Sequence, residues 1–101
     1  MAVEPLAQQE IESRLTEVPG WSLDGDRLAR GYRLDSHFAA AAFVVHIARV
    51  QDELDHHADV TLGYHTVTLT VNTHSVGGAV TALDFELAHR VEDIAPGHGA
   101  H

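Results

Sequence analysis

The chain contains no cysteine, which excludes disulfide bonds, a thiolate nucleophile and a thiolate metal site. It has six lysine and arginine side chains against fifteen acidic ones, for a formal net charge of −9. A surface of that sign repels a phosphate backbone, so we expect no direct binding to nucleic acid. The only cluster of basic residues is Arg27, Arg30 and Arg33. On a strand these three divide between the two faces, which is a weak patch.

Long apolar runs are also missing, since no segment approaches the roughly 20 residues that a transmembrane helix needs. The first residues lack the basic stretch and apolar stretch that mark a secretory signal. We therefore expect a cytoplasmic protein with no membrane contact. A length of 101 residues suits one domain. We place this domain at residues 1–95 and expect a disordered tail at 96–101, where Pro96, two glycines and two histidines occur.

Hydrophobic periodicity predicts the order helix, strand, strand, helix, strand, strand, helix. The first helix is expected at about residues 5–18 and is stopped by Pro19-Gly20. Asp24-Gly25 predicts a hairpin, and a second hairpin is expected within residues 60–71. Thr81 with Asp84 resembles a capping box at the start of the last helix. This order predicts an α+β fold in which three helices pack on one face of a four-stranded antiparallel sheet.

The second helix, expected at residues 37–55, is the most apolar element of the chain. One apolar stripe repeats at helical spacing and consists of Phe43, Ile47, Val50 and Leu54. A flatter apolar patch lies beside it and consists of Ala41, Val44, Val45 and Ala48. A helix that is apolar over so much of its circumference is usually buried on more than one side. We therefore expect a homodimer or a homotetramer.

Three of the nine histidines stand apart from the others by position. His56 and His57 are adjacent in a predicted loop, and His74 follows a strand whose alternation places it opposite the core. An imidazole both gives and takes protons near neutral pH, so three of them can line a catalytic pocket. Spacing alone leaves open whether these three share one site. The other histidines are expected at the surface or in packing roles, namely His37, His46, His65, His89, His98 and His101.

The series Asp52, His56-His57, Tyr64, His74 and Asp84 resembles the signature of the pterin-4a-carbinolamine dehydratases. In that family an acidic residue precedes a His-His pair, and an aromatic residue, a further histidine and an aspartate follow. Other matching segments are Glu10-Ile11, Val18–Trp21, Leu54–Val60, Val67–Leu69, Thr73-His74 and Asp84–Ala88. The likeness covers nearly the whole chain, from about Glu10 to Ile94.

The resemblance implies dehydration of a 4a-hydroxytetrahydropterin to a quinonoid dihydropterin, which recycles a pterin cofactor. It implies that His56 and His74 are the acid/base groups and that His57 mainly holds the pterin. No metal or redox cofactor is expected, because a nitrogen lone pair expels the water.

Four further residues are expected to bind substrate or support the histidines: Asp52, Asp55, Tyr64 and Asp84. Asp52 or Asp55 would orient an imidazole, whereas Asp84 can equally be a helix cap. The chain departs from the family pattern at Ala58, where proline is usual. Proline fixes φ and restricts the residue before it, so we expect a looser backbone behind His57.

Two alternative functions stay open from the sequence. Imidazoles from His56, His57, His65 or His74 suit zinc, copper or nickel, although adjacent histidines rarely chelate one ion together. Relatives of the dehydratases include dimerisation partners of transcription factors and assembly factors for carbon-fixing enzymes. The second alternative is therefore a non-catalytic adaptor that binds another protein through the same fold.

Overall fold

The computed structural model describes residues 3–101. The helices are α1 (Gln8–Leu15), α2 (His37–Leu54) and α3 (Ala82–Ile94), and the strands are β1 (Ser22–Asp24), β2 (Arg27–Arg33), β3 (Asp59–Leu62) and β4 (Thr66–Val71). The sheet order is β1-β2-β4-β3, and each neighbouring pair is antiparallel. The predicted α+β fold with three helices and a four-stranded antiparallel sheet is confirmed. Within these residues no helix combines the length and the apolarity needed to cross a bilayer.

The hydrophobic core lies between α2, α3 and one face of the sheet. The sheet contributes alternate residues of the two central strands, Leu28, Tyr32, Val67, Leu69 and Val71. The predicted α2 stripe is buried at Phe43, Ile47 and Val50 and partly buried at Leu54. The rings of Tyr32 and Phe43 pack edge to face with their centroids 5.1 Å apart. This packing fixes α2 across the sheet and so fixes where its C-terminal end lies.

The C-terminal end of α2 directs the chain into the histidine pair. The helix ends at Leu54 because Asp55 adopts the left-handed conformation, with φ 50° and ψ 44°. Aspartate tolerates this conformation better than most residues, and it is a common way to end a helix. The His56 N–H then donates to the Gln51 carbonyl at 3.1 Å. His56 and His57 therefore leave the helix end in a defined direction.

The N-terminal end of α3 carries the predicted capping box, which is confirmed. Thr81 Oγ1 accepts the Leu83 N–H at 3.1 Å, and the Thr81 N–H donates to Asp84 Oδ2 at 2.8 Å. Both bonds satisfy backbone N–H groups that a helix start otherwise leaves unpaired. Asp84 is thereby held in place at the end of α3 that faces the histidine pair.

The prediction that strand alternation places His74 is wrong, although His74 is exposed, away from the core, as that prediction expected. β4 ends at Val71, and the next two residues, Asn72 and Thr73, are both buried. The Thr73 N–H donates to the Ala79 carbonyl at 3.0 Å, and His74 begins a short 3₁₀ turn, His74–Val76. The period of two therefore stops before His74, because the backbone leaves the sheet at that point.

The predicted disordered tail at residues 96–101 is also wrong. Pro96–His98 forms a 3₁₀ turn. Arg33 and His101 exchange two backbone hydrogen bonds, of 2.8 and 3.0 Å, beyond the part of β2 that β1 covers. His98 Nε2 lies 2.8 Å from His46 Nδ1, and its ring packs on Phe43 with a centroid distance of 5.3 Å. An open strand edge and an apolar surface thus order a segment whose composition suggests disorder.

The contact of His98 with His46 predicts a loss of stability in acid. Burial lowers the pKa of His98, and the charge of His46 acts in the same direction. Since an unfolded histidine titrates near about 6.5, the unfolded chain binds this proton first as the pH falls. The stabilisation that depends on neutral His98 is therefore fully present above about pH 6.5 and is lost below it. When the pH is lowered from about 7.5 to 5.5, the melting temperature should fall less for His98→Asn than for the wild type. An equal loss in both proteins would contradict this prediction.

Candidate functional site

A cavity of about 330 Å³ opens where the C-terminal end of α2, the end of β4 and the start of α3 meet. Its walls are Asp55, His56, His57, Asn72, Thr73, His74, Ser75 and Leu83. The structure thus brings His56, His57 and His74 to one concavity from two separate segments of the chain. A pocket with a few converging polar groups is the usual form of a small-molecule site.

His56 is held from behind by Asp84. Its Nε2 lies 2.6 Å from Asp84 Oδ1, and the two side chains are 11% and 0% exposed. A short contact between an imidazole and a buried carboxylate is a charge-assisted hydrogen bond in its strong form. Asp84 therefore fixes the orientation of the His56 ring.

The Asp84 carboxylate accepts hydrogen bonds on both oxygens. Oδ2 accepts the Thr81 N–H at 2.8 Å and the Thr73 hydroxyl at 3.0 Å, and the Thr73 and Thr81 hydroxyls lie 2.8 Å apart. Because Oδ2 is occupied by these donors, Oδ1 is the oxygen left to accept from His56. The helix-cap contact of Asp84 and its contact with the cavity histidine His56 thus occur in the same carboxylate.

These contacts determine the tautomer of neutral His56. A carboxylate oxygen only accepts hydrogen bonds, so the single N–H of the neutral ring must be on Nε2. Nδ1 is then the basic nitrogen. Among residues 3–101, His56 Nδ1 makes no hydrogen bond. One nitrogen of the ring is therefore held by the protein, whereas the other has no partner in this part of the chain.

His57 and His74 are more accessible than His56. His57 Nε2 lies 2.9 Å from Asp52 Oδ1, and these side chains are 52% and 80% exposed. Asp52 therefore contacts the imidazole of His57, and this contact faces solvent. His74 is exposed at the start of its 3₁₀ turn and lines the cavity. A fixed, largely buried imidazole and an accessible one thus line the same cavity.

Two of the remaining predicted site residues lie in different places. Asp55 lines the cavity and supplies the left-handed residue that turns the chain toward it. Tyr64 is 78% exposed and does not line the cavity. Its carbonyl accepts from His37 Nδ1 at 2.7 Å, and His37 starts α2, whereas His56 follows the other end of that helix. The structure therefore does not bring Tyr64 to the cavity histidines His56, His57 and His74.

Sequence reasoning missed several residues that build the site. Asn72, Thr73, Ser75 and Leu83 line the cavity, and Gln51 contacts the histidine loop from inside α2. Thr73 gave a signal, because it precedes His74 in the segment that resembles the dehydratases. Gln51 gave one too, since a glutamine on the apolar side of a helix needs a partner for its amide.

No group of three or more histidine, aspartate or glutamate side chains in residues 3–101 is arranged to hold a metal ion. His56 Nε2 and His57 Nε2 instead contact different carboxylates, Asp84 and Asp52. The geometry therefore does not support the alternative in which these histidines form a metal site.

Comparison with known proteins identifies one family. A sequence model described as "Pterin 4 alpha carbinolamine dehydratase" matches residues 4–94. A Streptomyces avermitilis protein provisionally named pterin-4-alpha-carbinolamine dehydratase is 79% identical over 100 residues, covering 99% of each chain. A Streptomyces coelicolor protein of the same provisional name is 70% identical over 101 residues, covering 100% of each.

A solved structure agrees with the sequence matches. The crystal structure of a transcriptional coactivator/pterin dehydratase from Brucella melitensis superposes with a TM-score of 0.85 at 30% sequence identity. The match covers 91% of this chain and 99% of that one. The likeness in fold therefore extends over nearly the full length of both proteins.

Proposed function

This chain belongs to the pterin-4a-carbinolamine dehydratase family, and from that premise we propose that it removes water from a 4a-hydroxytetrahydropterin. The product would be a quinonoid dihydropterin, so the reaction recycles a pterin cofactor. One observation carries the proposal: a cavity lined by three histidines, one of which is fixed by a buried carboxylate. That arrangement suits a reaction that consists of proton transfers.

The dehydration needs two proton transfers and no electron transfer. The carbon–oxygen bond of the carbinolamine breaks, and the hydroxyl takes a proton and leaves as water. The lone pair of the adjacent ring nitrogen forms the carbon–nitrogen double bond, and that nitrogen gives up its proton. One acid and one base, each able to exchange a proton near neutral pH, are sufficient.

We assign the base to His56 and the acid to His74. The contact with Asp84 leaves His56 Nδ1 as its basic nitrogen, and the carboxylate stabilises the positive charge that forms there. His74 is exposed, so it can exchange protons with water between turnovers. His57, which Asp52 orients at the rim of the cavity, is assigned to hold the pterin.

The proposal is tested by the rate at which the purified protein dehydrates a freshly generated 4a-hydroxytetrahydropterin. General acid and base groups typically contribute about 10²–10⁴-fold, so the rate should clearly exceed the spontaneous rate. The rate should also depend on pH around neutrality, where imidazoles titrate. A protein that gives no acceleration would contradict the proposal.

A second candidate function, protein binding, is supported by the outer face of α2. Phe38 and Val45 lie seven positions apart on this helix and are 85% and 71% exposed. Large apolar side chains on one helix face commonly mark a contact with another protein. The Brucella melitensis relative carries a coactivator function in its name. We propose that this face is covered by a second copy of the chain, in a homodimer or homotetramer, or by a protein partner.

The oligomer predicts a simple response to charge on α2. Val45→Asp should lower the solution mass toward that of the monomer, because a carboxylate buried in an apolar contact without a partner is costly. The measurement is light scattering coupled to size-exclusion chromatography. His89→Asp, which adds the same charge at an exposed position of α3, is the matched control and should keep the wild-type mass. A monomeric wild type would contradict the prediction of a homo-oligomer.

A further inference from the structure

Gln51 holds the backbone on both sides of the histidine pair. It lies in the last turn of α2 and is 6% exposed. Its carbonyl accepts the His56 N–H at 3.1 Å, and its side-chain Oε1 accepts the Ala58 N–H at 2.7 Å. The loop that carries both imidazoles is therefore tied to one residue of α2 at its start and at its end.

The second of these bonds exists only because residue 58 is not proline. Ala58 is partly buried and packs against the hydrophobic core, where a backbone N–H needs an acceptor. Proline would restrict this backbone covalently and would have no N–H to satisfy. The chain instead fixes the same backbone through a hydrogen bond to a glutamine whose own position is set by burial in α2.

The same geometry makes Gln51 and a proline at position 58 incompatible. Oε1 lies on the N–H side of Ala58 at 2.7 Å from the nitrogen. The Cδ of proline is bonded to that nitrogen in place of the hydrogen, so it would overlap Oε1. The glutamine side chain would have to leave its buried position, and its amide would lose its partner.

We propose that Gln51 is a positioning residue for the loop that carries His56 and His57. Gln51 substitutes for a proline at position 58 and cannot coexist with one. The kinetic part of this inference rests on the proposed dehydratase function. Its physical basis is that catalysis by proton transfer depends on ring placement, and a shift of about 1 Å can cost as much as 10²-fold in rate. The expectation of a loose backbone behind His57 is thereby replaced by a backbone fixed in another way.

The test is a set of four variants whose effects on the dehydration rate should be coupled. Gln51→Met keeps the length of the side chain but removes the acceptor, and Gln51→Ala removes both. Each of these, and Ala58→Pro alone, should lower kcat about tenfold, because each disturbs the loop. The double variant Gln51→Ala/Ala58→Pro should recover to within about threefold of the wild type, since proline restricts the backbone and alanine leaves room for its ring. Gln9→Met, on an exposed position of α1, is the matched control.

A second readout does not depend on catalysis. The Ala58 amide should exchange slowly with solvent in the wild type and at least about tenfold faster in Gln51→Met, as measured by NMR hydrogen exchange. If the wild type fails to dehydrate the pterin but Ala58 exchange behaves as expected, the proposed function fails and the positioning role stands. The positioning role is overturned if the Ala58 amide exchanges freely in the wild type. It is also overturned if the loss of kcat in the double variant equals the product of the losses in its two single variants.

Discussion

The variant His56→Ala/His74→Ala is expected to dehydrate a 4a-hydroxytetrahydropterin no faster than the spontaneous reaction. The two imidazoles are the proposed base and acid, and each such group typically contributes about 10²–10⁴-fold. Removing both leaves the cavity without the proposed base and acid, although His57 still lines it. Since His57 is assigned to hold the pterin, substrate binding should weaken less than turnover.

The His56 substitution needs a companion variant, because it also leaves Asp84 Oδ1 without its donor. Asp84 is 0% exposed, and a buried carboxylate oxygen without a donor destabilises the fold. His56→Gln keeps an N–H donor for Asp84 but has no nitrogen that titrates, so it should lose the rate and keep the melting temperature. His89→Ala removes an exposed histidine of α3 and should retain the wild-type rate. Wild-type turnover in His56→Ala/His74→Ala would refute the assignment of both roles.

Asp84→Asn is expected to reduce kcat by about 10²-fold or more while the protein stays folded. Oδ2 accepts the Thr81 N–H, so the asparagine oxygen must take that position to preserve the helix cap. Its NH2 group then faces His56 Nε2, which has to become an acceptor. The His56 proton moves to Nδ1, and the nitrogen proposed as the base is no longer basic. A near-isosteric change thus reverses the tautomer that the mechanism requires.

This prediction separates the site role of Asp84 from its cap role. The ¹⁵N shifts of His56 should report Nε2–H in the wild type and Nδ1–H in Asp84→Asn. The comparison variant Asp84→Ala removes the carboxylate half of the capping box and leaves buried donors unpaired at about 1–3 kcal/mol each. It should therefore melt well below Asp84→Asn. If Asp84→Asn kept the wild-type kcat, the carboxylate would be a helix cap and no more.

Much of the fold could be predicted from the sequence because its signals are local. The Asp24-Gly25 dipeptide marked the first hairpin, and the register now places Gly25 and Asp26 between the paired residues Asp24 and Arg27. The α2 stripe of Phe43, Ile47 and Val50 is the buried face of that helix. Such patterns depend only on residues a few positions apart, so the sequence shows them without knowledge of the tertiary structure.

The errors occurred where the backbone leaves regular structure. His74 was placed by extending the alternation of β4, but the strand ends at Val71 and a 3₁₀ turn sets its direction. The tail was expected to be disordered from its glycines and Pro96, yet His101 pairs with the open edge at Arg33. Both outcomes depend on backbone groups that are distant in sequence, so composition and periodicity contain no record of them.

The amino-acid sequence by itself determined the elements, their order and the residues that resemble a dehydratase site. Only the tertiary structure decided which of those residues meet. Asp84 pairs with His56 across 28 positions, and Tyr64 lies beside His37 instead of in the cavity. The place of Gln51 on the apolar side of α2 signalled that its amide needs a partner, but only the tertiary structure identified that partner as the Ala58 N–H. Periodicity reports which side of an element is apolar, whereas a site depends on where the helix ends and turns direct the chain.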